Sequence, residues 1–479
     1  MNATIKNEII ITLLTTILFI SFVGCSEDYL DVPSNQETEE AITPEKATEL
    51  VNAVYNIFLQ FSMSSFSWNG VSSITSDDAD KGSDPGDTGA DKNLLDALTF
   101  DATSLSFNEV WEAHYDGIQR ANQALNRLKD FEIEDSLKDR LIGEATFLRA
   151  LMYFRLVKTF GGVPLIQDVP DINADPTTLL QRASREETFA FIEEDLLNAI
   201  ELLPEKSQYN ISELGRATKG AAKALLAKVS MYQNKWQTVL TLTNEIISSG
   251  EYGLTPNYED IWKAEEENNQ ESIFEIQGRG ELPAAGILEY SVSQGARGLG
   301  GWGWGFNTPT QDLANAYEPG DLRRDATIIF RGETLFDGRE VPNTVVNPRY
   351  NQKAYSSRFT AVSQSDKNIR VLRYAEVLLM NAEAATQIGG DALTPLNLVR
   401  NRAGLSSLSS VDQMAVWRER RLELAFEHDR YFDLVRQGRA GAVMRAHGKP
   451  FIDGKHEVFP IPQQQINISG GLLIQNNGY

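Results

Sequence analysis

Cysteine is almost absent from the 479-residue chain: there is one, Cys25. A lone cysteine excludes an intramolecular disulfide, and beside only four histidines it leaves little material for a zinc or haem site. Proline is sparse at 17 residues and charged residues make up 23 %, which argues against global disorder. Positive charge is in deficit. The chain has 44 Lys and Arg against 67 Asp and Glu, a formal net charge of -23. A surface that acidic repels phosphate backbones and anionic lipid headgroups, so no nucleic-acid partner is expected. Catalytic signatures are missing as well. There is no Gly-x-Ser-x-Gly elbow, no His-Glu-x-x-His and no Walker lysine loop, and Gly298-Leu299-Gly300-Gly301 resembles a phosphate loop in composition alone. What is present is 42 % hydrophobic residues, enough for a large core. The length suits two or three domains, or one large domain of repeated helical units.

The cysteine's position carries more than its number. Ile9 to Val23 is a mostly apolar run preceded by Lys6. It is shorter than the ~20 residues a bilayer-spanning helix needs and reads as the apolar region of a secretory signal. The run ends Phe22-Val23-Gly24-Cys25, which resembles a bacterial lipobox. Residues 1–24 are then a cleaved signal peptide, and Cys25 carries the acyl chains. Each buried methylene contributes ~0.8 kcal/mol, so the expected protein is anchored to a membrane by lipid alone and does not span it. Ser26-Glu27-Asp28-Tyr29-Leu30-Asp31 is either an export signal to the outer face or a solvated acidic tether; 25–42 serves as a leash in both cases.

From Thr43 the pattern is helical. Thr43 suits an N-cap with Pro44 at the first helical position, and Ala47, Leu50, Val51, Val54, Tyr55 and Phe58 follow on one face. Further helices are predicted from Phe107, from Ser136 to Phe160, and after a Ser184/Glu187 capping box. Thr218–Gln233 and Trp236–Ser249 form a predicted hairpin whose Ala221, Ala222, Ala224 and Ala227 allow close approach. A comparable pair is predicted at Arg370–Ile388 and Thr394–Arg402, and one continuous helix at Glu419–Arg436. Phe66 to Phe100, rich in Gly and Asp, reads as a long surface loop, and 274–367 as a large irregular insertion with one strand at Ser272–Ile276.

Several of these runs carry a family resemblance. Gly143-Glu144-Ala145-Thr146-Phe147-Leu148-Arg149-Ala150 through Phe154, then Thr159-Phe160-Gly161-Gly162-Val163-Pro164-Leu165, resembles the central signature of the SusD/RagB family of starch-utilisation-type surface glycan-binding lipoproteins. So do Arg373-Tyr374-Ala375-Glu376 through Ala384, Glu419-Arg420-Arg421-Leu422-Glu423 through Arg436, Phe459-Pro460-Ile461-Pro462 and the closing Gln475-Asn476-Asn477-Gly478-Tyr479. The resemblance implies an all-α-dominated fold of tetratricopeptide-like helix pairs. The scaffold would run over about 43–273 and 368–440, in one domain from 43 to 479, with the 274–367 insertion forming a loop and short-strand binding face. It implies a non-catalytic protein that sits on a TonB-dependent, SusC-like outer-membrane transporter and passes oligosaccharide to it. Some members resemble peptide or glycoprotein-glycan binders, so the ligand stays open between glycan and peptide.

Glu423 and Glu427 stand at i,i+4 with Arg420, Arg421 and Arg430 in reach, which favours an ionised structural seam over an acid/base pair. The Asp77-Asp78-Ala79-Asp80 stretch fails as an EF-hand, because Gly82 falls at the third ligand position. A calcium site of another kind stays open, a solvated loop is the better reading, and no cofactor is expected beyond the lipid on Cys25. Sugar binding asks for aromatic faces beside amide, carboxylate or guanidinium groups. Two regions offer them: Trp68 and Asn69 with Asp77 and Asp78, and Trp302, Trp304 and Asn307 with Tyr290 and Arg297. The tryptophans of Gly301-Trp302-Gly303-Trp304-Gly305 suit either ligand contact or bracing of the insertion. A rival reading as a surface glycoside hydrolase would have to use Asp77 or Asp78 beside Trp68.

Overall fold

Apolar side chains at helical spacing, closed by glycine stops, account for most of the architecture in this computed structural model. It describes residues 43–479 apart from 85, 88, 172, 281, 283, 284, 357–364 and 366. Cys25, the signal peptide and the tether lie outside the described residues. The chain divides into two units, Met1–Lys46 and Ala47–Tyr479. Thr43 accepts a hydrogen bond from the Lys46 N–H at the start of the Pro44–Asn56 helix.

In the larger unit the long helices pack on their sequence neighbours as a tetratricopeptide-like stack. Leu105–Leu128 lies against Asp135–Phe160, then follow Arg185–Leu202, Lys219–Met231, Trp236–Ser249 and Tyr374–Ile388. Asp135–Phe160 is the central member, buried on all sides from Gly143 onward. Gly161 ends it in a left-handed conformation, φ 77°, which a side chain resists. Ser184 and Glu187 form the expected capping box, and Thr218 accepts the Ala221 N–H. The four alanines of Lys219–Met231 are fully buried, which lets Trp236–Ser249 approach. Among the described residues no helix is long and apolar enough to cross a membrane.

Three segments differ from the sequence expectation. Phe66–Phe100 is not a surface loop: it holds short helices at Phe66–Asn69 and Ala90–Asp96, a π turn at Gly70–Ile74 and a strand at Ala79–Gly82, with residues 67–79 buried. Arg370–Arg373 belongs to a strand, Ile369–Arg373, paired antiparallel with Ser272–Ile276, and the helix starts at Tyr374. The helix expected over Glu419–Arg436 is broken into Gln413–Glu423 and Arg430–Arg436. Between them Phe426 and His428 adopt left-handed backbone, φ 65° and 70°, so His428 sits in a turn.

The break has an electrostatic reason. Glu423 is fully buried and accepts from Arg373, Arg323 and Arg402 at 2.6, 3.1 and 2.5 Å, while Glu427 accepts from Arg373 and Lys353 at 2.7 Å each. The turn lets both carboxylates face the same remote arginine. This is the ion-paired seam expected, but its cations come from other elements. Arg420 instead serves Glu376 and Asp433. The insertion carries small cores of its own, one around Ala296, Ile329, Leu335, Val345 and Tyr350.

Candidate functional site

A strand pair joins the two regions that the sequence singled out. Ala79–Gly82 runs antiparallel to Phe306–Pro309, with Asp80 opposite Thr308 and Gly82 opposite Phe306. Gly82 has φ 68°, and a Cβ there would stand 2.4 Å from the Gly305 carbonyl oxygen, so only glycine permits this crossing. Ser83 N–H donates to the same oxygen. Thr310 clamps the other end, donating from its hydroxyl to Asp77 O and from its N–H to Asp78 O.

Most of the polar candidates turn inward at this junction, which corrects the sequence reading of them as contact residues. Trp68 is 1 % exposed. Its ring stacks on Phe432 at 6.2 Å with the Arg155 guanidinium 4.9 Å from its centroid, so no face is offered to a ligand. Asn69, Tyr290 and Asn307 are also buried. Asn307 donates to Gln294 at 2.8 Å. Asp77 receives both Nε and Nη2 of Arg430 at 2.7 Å, and Asp78 receives Arg421 at 2.8 Å. Burial opposes ionisation of Asp77, but Arg430 outweighs it and holds the carboxyl at about 2. For the two aspartates the reason is charge: four side chains, Asp77 and Asp78 with Arg421 and Arg430, pair off and pull the Asp-rich stretch against the scaffold. Those are the carboxylates that a calcium loop or a hydrolase would have used.

The surface of the junction is left to Arg297, Trp302 and Trp304, all half-buried. Arg297 donates to Ser83 Oγ at 2.9 Å and lies 3.6 Å from Asp87. Trp304 is fixed by its N–H on Val292 O and presents its ring edge-on to Phe66, centroids 6.1 Å apart. The glycine between the tryptophans is needed because a Cβ on Gly303 would lie 2.4 Å from Val292 O. Trp302 meets Tyr355 edge-on at 5.5 Å and has the Arg339 guanidinium 5.0 Å from its ring.

Several neighbours were not foreseen. Phe66 is half-buried, packs on Phe306 at 4.8 Å and has Lys92 Nζ 4.3 Å from its centroid. Glu109 accepts from Ser67 Oγ, and Glu289 stands at φ 60° before the short Tyr290–Gln294 helix. Burial raises the pKa of both carboxyls; Asp91 and Glu112 raise Glu109 further, and Glu109 raises Glu289. On the far side, Phe336 is 36 % exposed and meets Tyr355 at 5.8 Å. Phe66 stands two residues before a tryptophan, which is the signal available in the sequence. Glu109, Glu289 and Phe336 carry none, because three separate segments bring them in.

The histidines give no nucleophile-activating pair. Ser72 Oγ spends its proton on Trp68 O at 2.6 Å, so His428 Nδ1, 3.0 Å away, is the donor to Ser72. Burial first, then Arg155, lowers His428 and His114 to about 3, and both rings are neutral. Among the described residues no cluster of three or more His, Cys, Asp or Glu is arranged to hold a metal ion.

Two family models cover nearly the whole chain. One, described as starch-binding associating with outer membrane, matches residues 28–231, and one described as the SusD family matches 270–479. The chain belongs to the SusD/RagB family. A SusD-like protein of Bacteroides ovatus is 28 % identical over 91 % of this chain and 83 % of its own length. Among solved structures, a laminarin-binding SusD-like protein is 30 % identical at TM-score 0.79, over 91 % of this chain and 99 % of that one. Surface glycan-binding protein A of Bacteroides thetaiotaomicron, solved in complex with laminarihexaose, is 25 % identical at TM-score 0.79, over 90 % and 99 %. The helical SusD scaffold is thus shared over almost the full length of the two solved relatives.

Proposed function

We propose that this SusD-family chain captures an oligosaccharide of the β-glucan kind at the surface of the strand junction and hands it to a TonB-dependent outer-membrane transporter. In this reading Trp304 and Phe66 supply ring surface, with Glu289 and Glu109 accepting from sugar hydroxyls. Trp302 and Arg297 extend the same rim. The chain would be held at the outer membrane by acyl chains on Cys25 and perform no covalent chemistry. The observation that carries the ligand class is the likeness, at 30 % identity and across 99 % of its length, to a laminarin-binding relative. Partly exposed aromatics beside carboxylates supply the matching chemistry, since a sugar offers an apolar C–H face and a hydroxyl rim.

The test is calorimetric titration of the chain from Ser26 with laminarihexaose and a panel of other glycans and peptides. Binding of a glucan that weakens in a folded Trp304→Ala variant supports the proposal. Peptide binding with no response to any glycan sinks it, and so does glycan binding that ignores Trp304.

A further inference from the structure

A small cavity of about 30 Å³ lies between Asp135–Phe160, the Phe426–Asp429 turn and the Ile369–Arg373 strand. That is room for one or two water-sized occupants. Its charged lining consists of Arg155, Lys158, Lys228 and Arg370 against Glu427 and Asp429, an excess of positive charge. Arg370 is neutralised elsewhere by Glu267 and Glu275, and Glu427 by Arg373 and Lys353. Asp429 is shared between Lys158 and Lys228, and Lys228 also holds Glu376. Arg155 is left over.

Its isolation is specific. The other buried arginines, Arg149, Arg323, Arg370, Arg373, Arg400 and Arg420, each have a carboxylate within ion-pair distance. Arg155, 5 % exposed, has none among the described residues, and its one hydrogen bond goes to the Met63 carbonyl at 3.0 Å. Lys158 spends one N–H on Asp429 at 3.1 Å, and the Trp68 indole N–H, on the same cavity wall, has no partner. Among the described lining residues the one unpartnered acceptor is Nε2 of the neutral His428, and no unpaired carboxylate faces these donors. A buried ion without a counter-charge costs several kcal/mol, which a fold does not normally leave standing. Burial draws Lys158 down to about 8 and Arg155 to about 10, the direction expected of cations short of counter-ions.

We propose that the cavity binds a small monovalent anion of chloride size as the counter-ion of Arg155, held also by Lys158 and the Trp68 indole N–H. Because Arg155 grips Met63, such an ion would brace the segment that leads into Phe66 and the strand junction. The experiment is crystallisation of the purified protein with bromide replacing chloride, followed by anomalous diffraction at the bromine edge. The expected result is a bromide peak within hydrogen-bond distance of the Arg155 guanidinium. In parallel, Tm at fixed ionic strength should fall by about 1–3 °C when gluconate replaces chloride. Arg155→Met should remove both the peak and the halide dependence. A cavity holding only water, with Tm indifferent to halide, overturns the proposal, and this result is readable on the unaltered protein even if the variant fails to fold.

Discussion

At the scale of single residues, the decisive contrast is between two tryptophans with similar sequence surroundings. Trp68 and Trp304 both stand near glycine or serine, yet one is sealed in the core and the other rims the junction. Trp304→Ala should cost about 2 kcal/mol of ligand binding, about thirtyfold in affinity, with Tm nearly unchanged. Trp68→Ala should instead lose about 3–5 kcal/mol of stability in urea unfolding. Equal destabilisation by both would refute the division. Glu423 and Glu427 allow a pH prediction. Burial disfavours their charged forms, but Arg402, Arg373 and Arg323 around Glu423, and Arg373 and Lys353 around Glu427, hold both below the usual carboxylate range. Their stabilisation is complete above the unfolded value of about 4.3 and is lost as pH falls toward the lower folded values. Glu423→Gln should cost about 3–5 kcal/mol at pH 7 and flatten the acid side of the stability–pH curve. A variant curve parallel to the parent's below pH 5 would show that the seam is not the titrating element.

At the scale of elements, the Ala79–Gly82 and Phe306–Pro309 pair holds the two candidate regions together. The sequence places its strands more than 220 residues apart, and neither is long or alternating enough to announce itself. Gly82→Ala would drive a Cβ into the Gly305 carbonyl and force a left-handed side chain, a strain of about 1–2 kcal/mol before any clash. The expected result is a protein with unchanged helical circular dichroism whose glycan affinity drops at least as far as that of Trp304→Ala. Unaltered affinity would mean that the strands do not shape the site. The broken Glu419–Arg436 helix teaches a related lesson. Its local pattern is helical, but Phe426 and His428 take left-handed backbone so that Glu427 and Asp429 meet Arg373, Lys158 and Lys228. Local propensity yields where buried charges must find partners.

At the scale of the whole molecule, a net charge of -23 and a proposed neutral ligand lead to a salt test. Screening affects charge pairs and leaves stacking and neutral hydrogen bonds nearly untouched. Affinity for a neutral glucan should therefore change by less than about twofold between low and high salt. A steep salt dependence would point to an anionic glycan. Cys25→Ala should move the chain from the membrane fraction to the soluble one and abolish incorporation of labelled palmitate; retention in the membrane would refute the anchor.

The sequence alone determined the helical scaffold, because apolar spacing, capping boxes and glycine stops are local signals that survive without a partner. It also determined the family, since the motifs occur in register along most of the chain. Tertiary structure decided which polar and aromatic residues reach the surface. Asp77, Asp78 and Trp68 read as part of a solvent-facing loop until Arg430, Arg421 and Phe432, from a segment more than 340 residues away, are seen to claim them. Burial of a charge depends on a counter-charge, and where that counter-charge lies is a property of the folded chain, not of its local sequence.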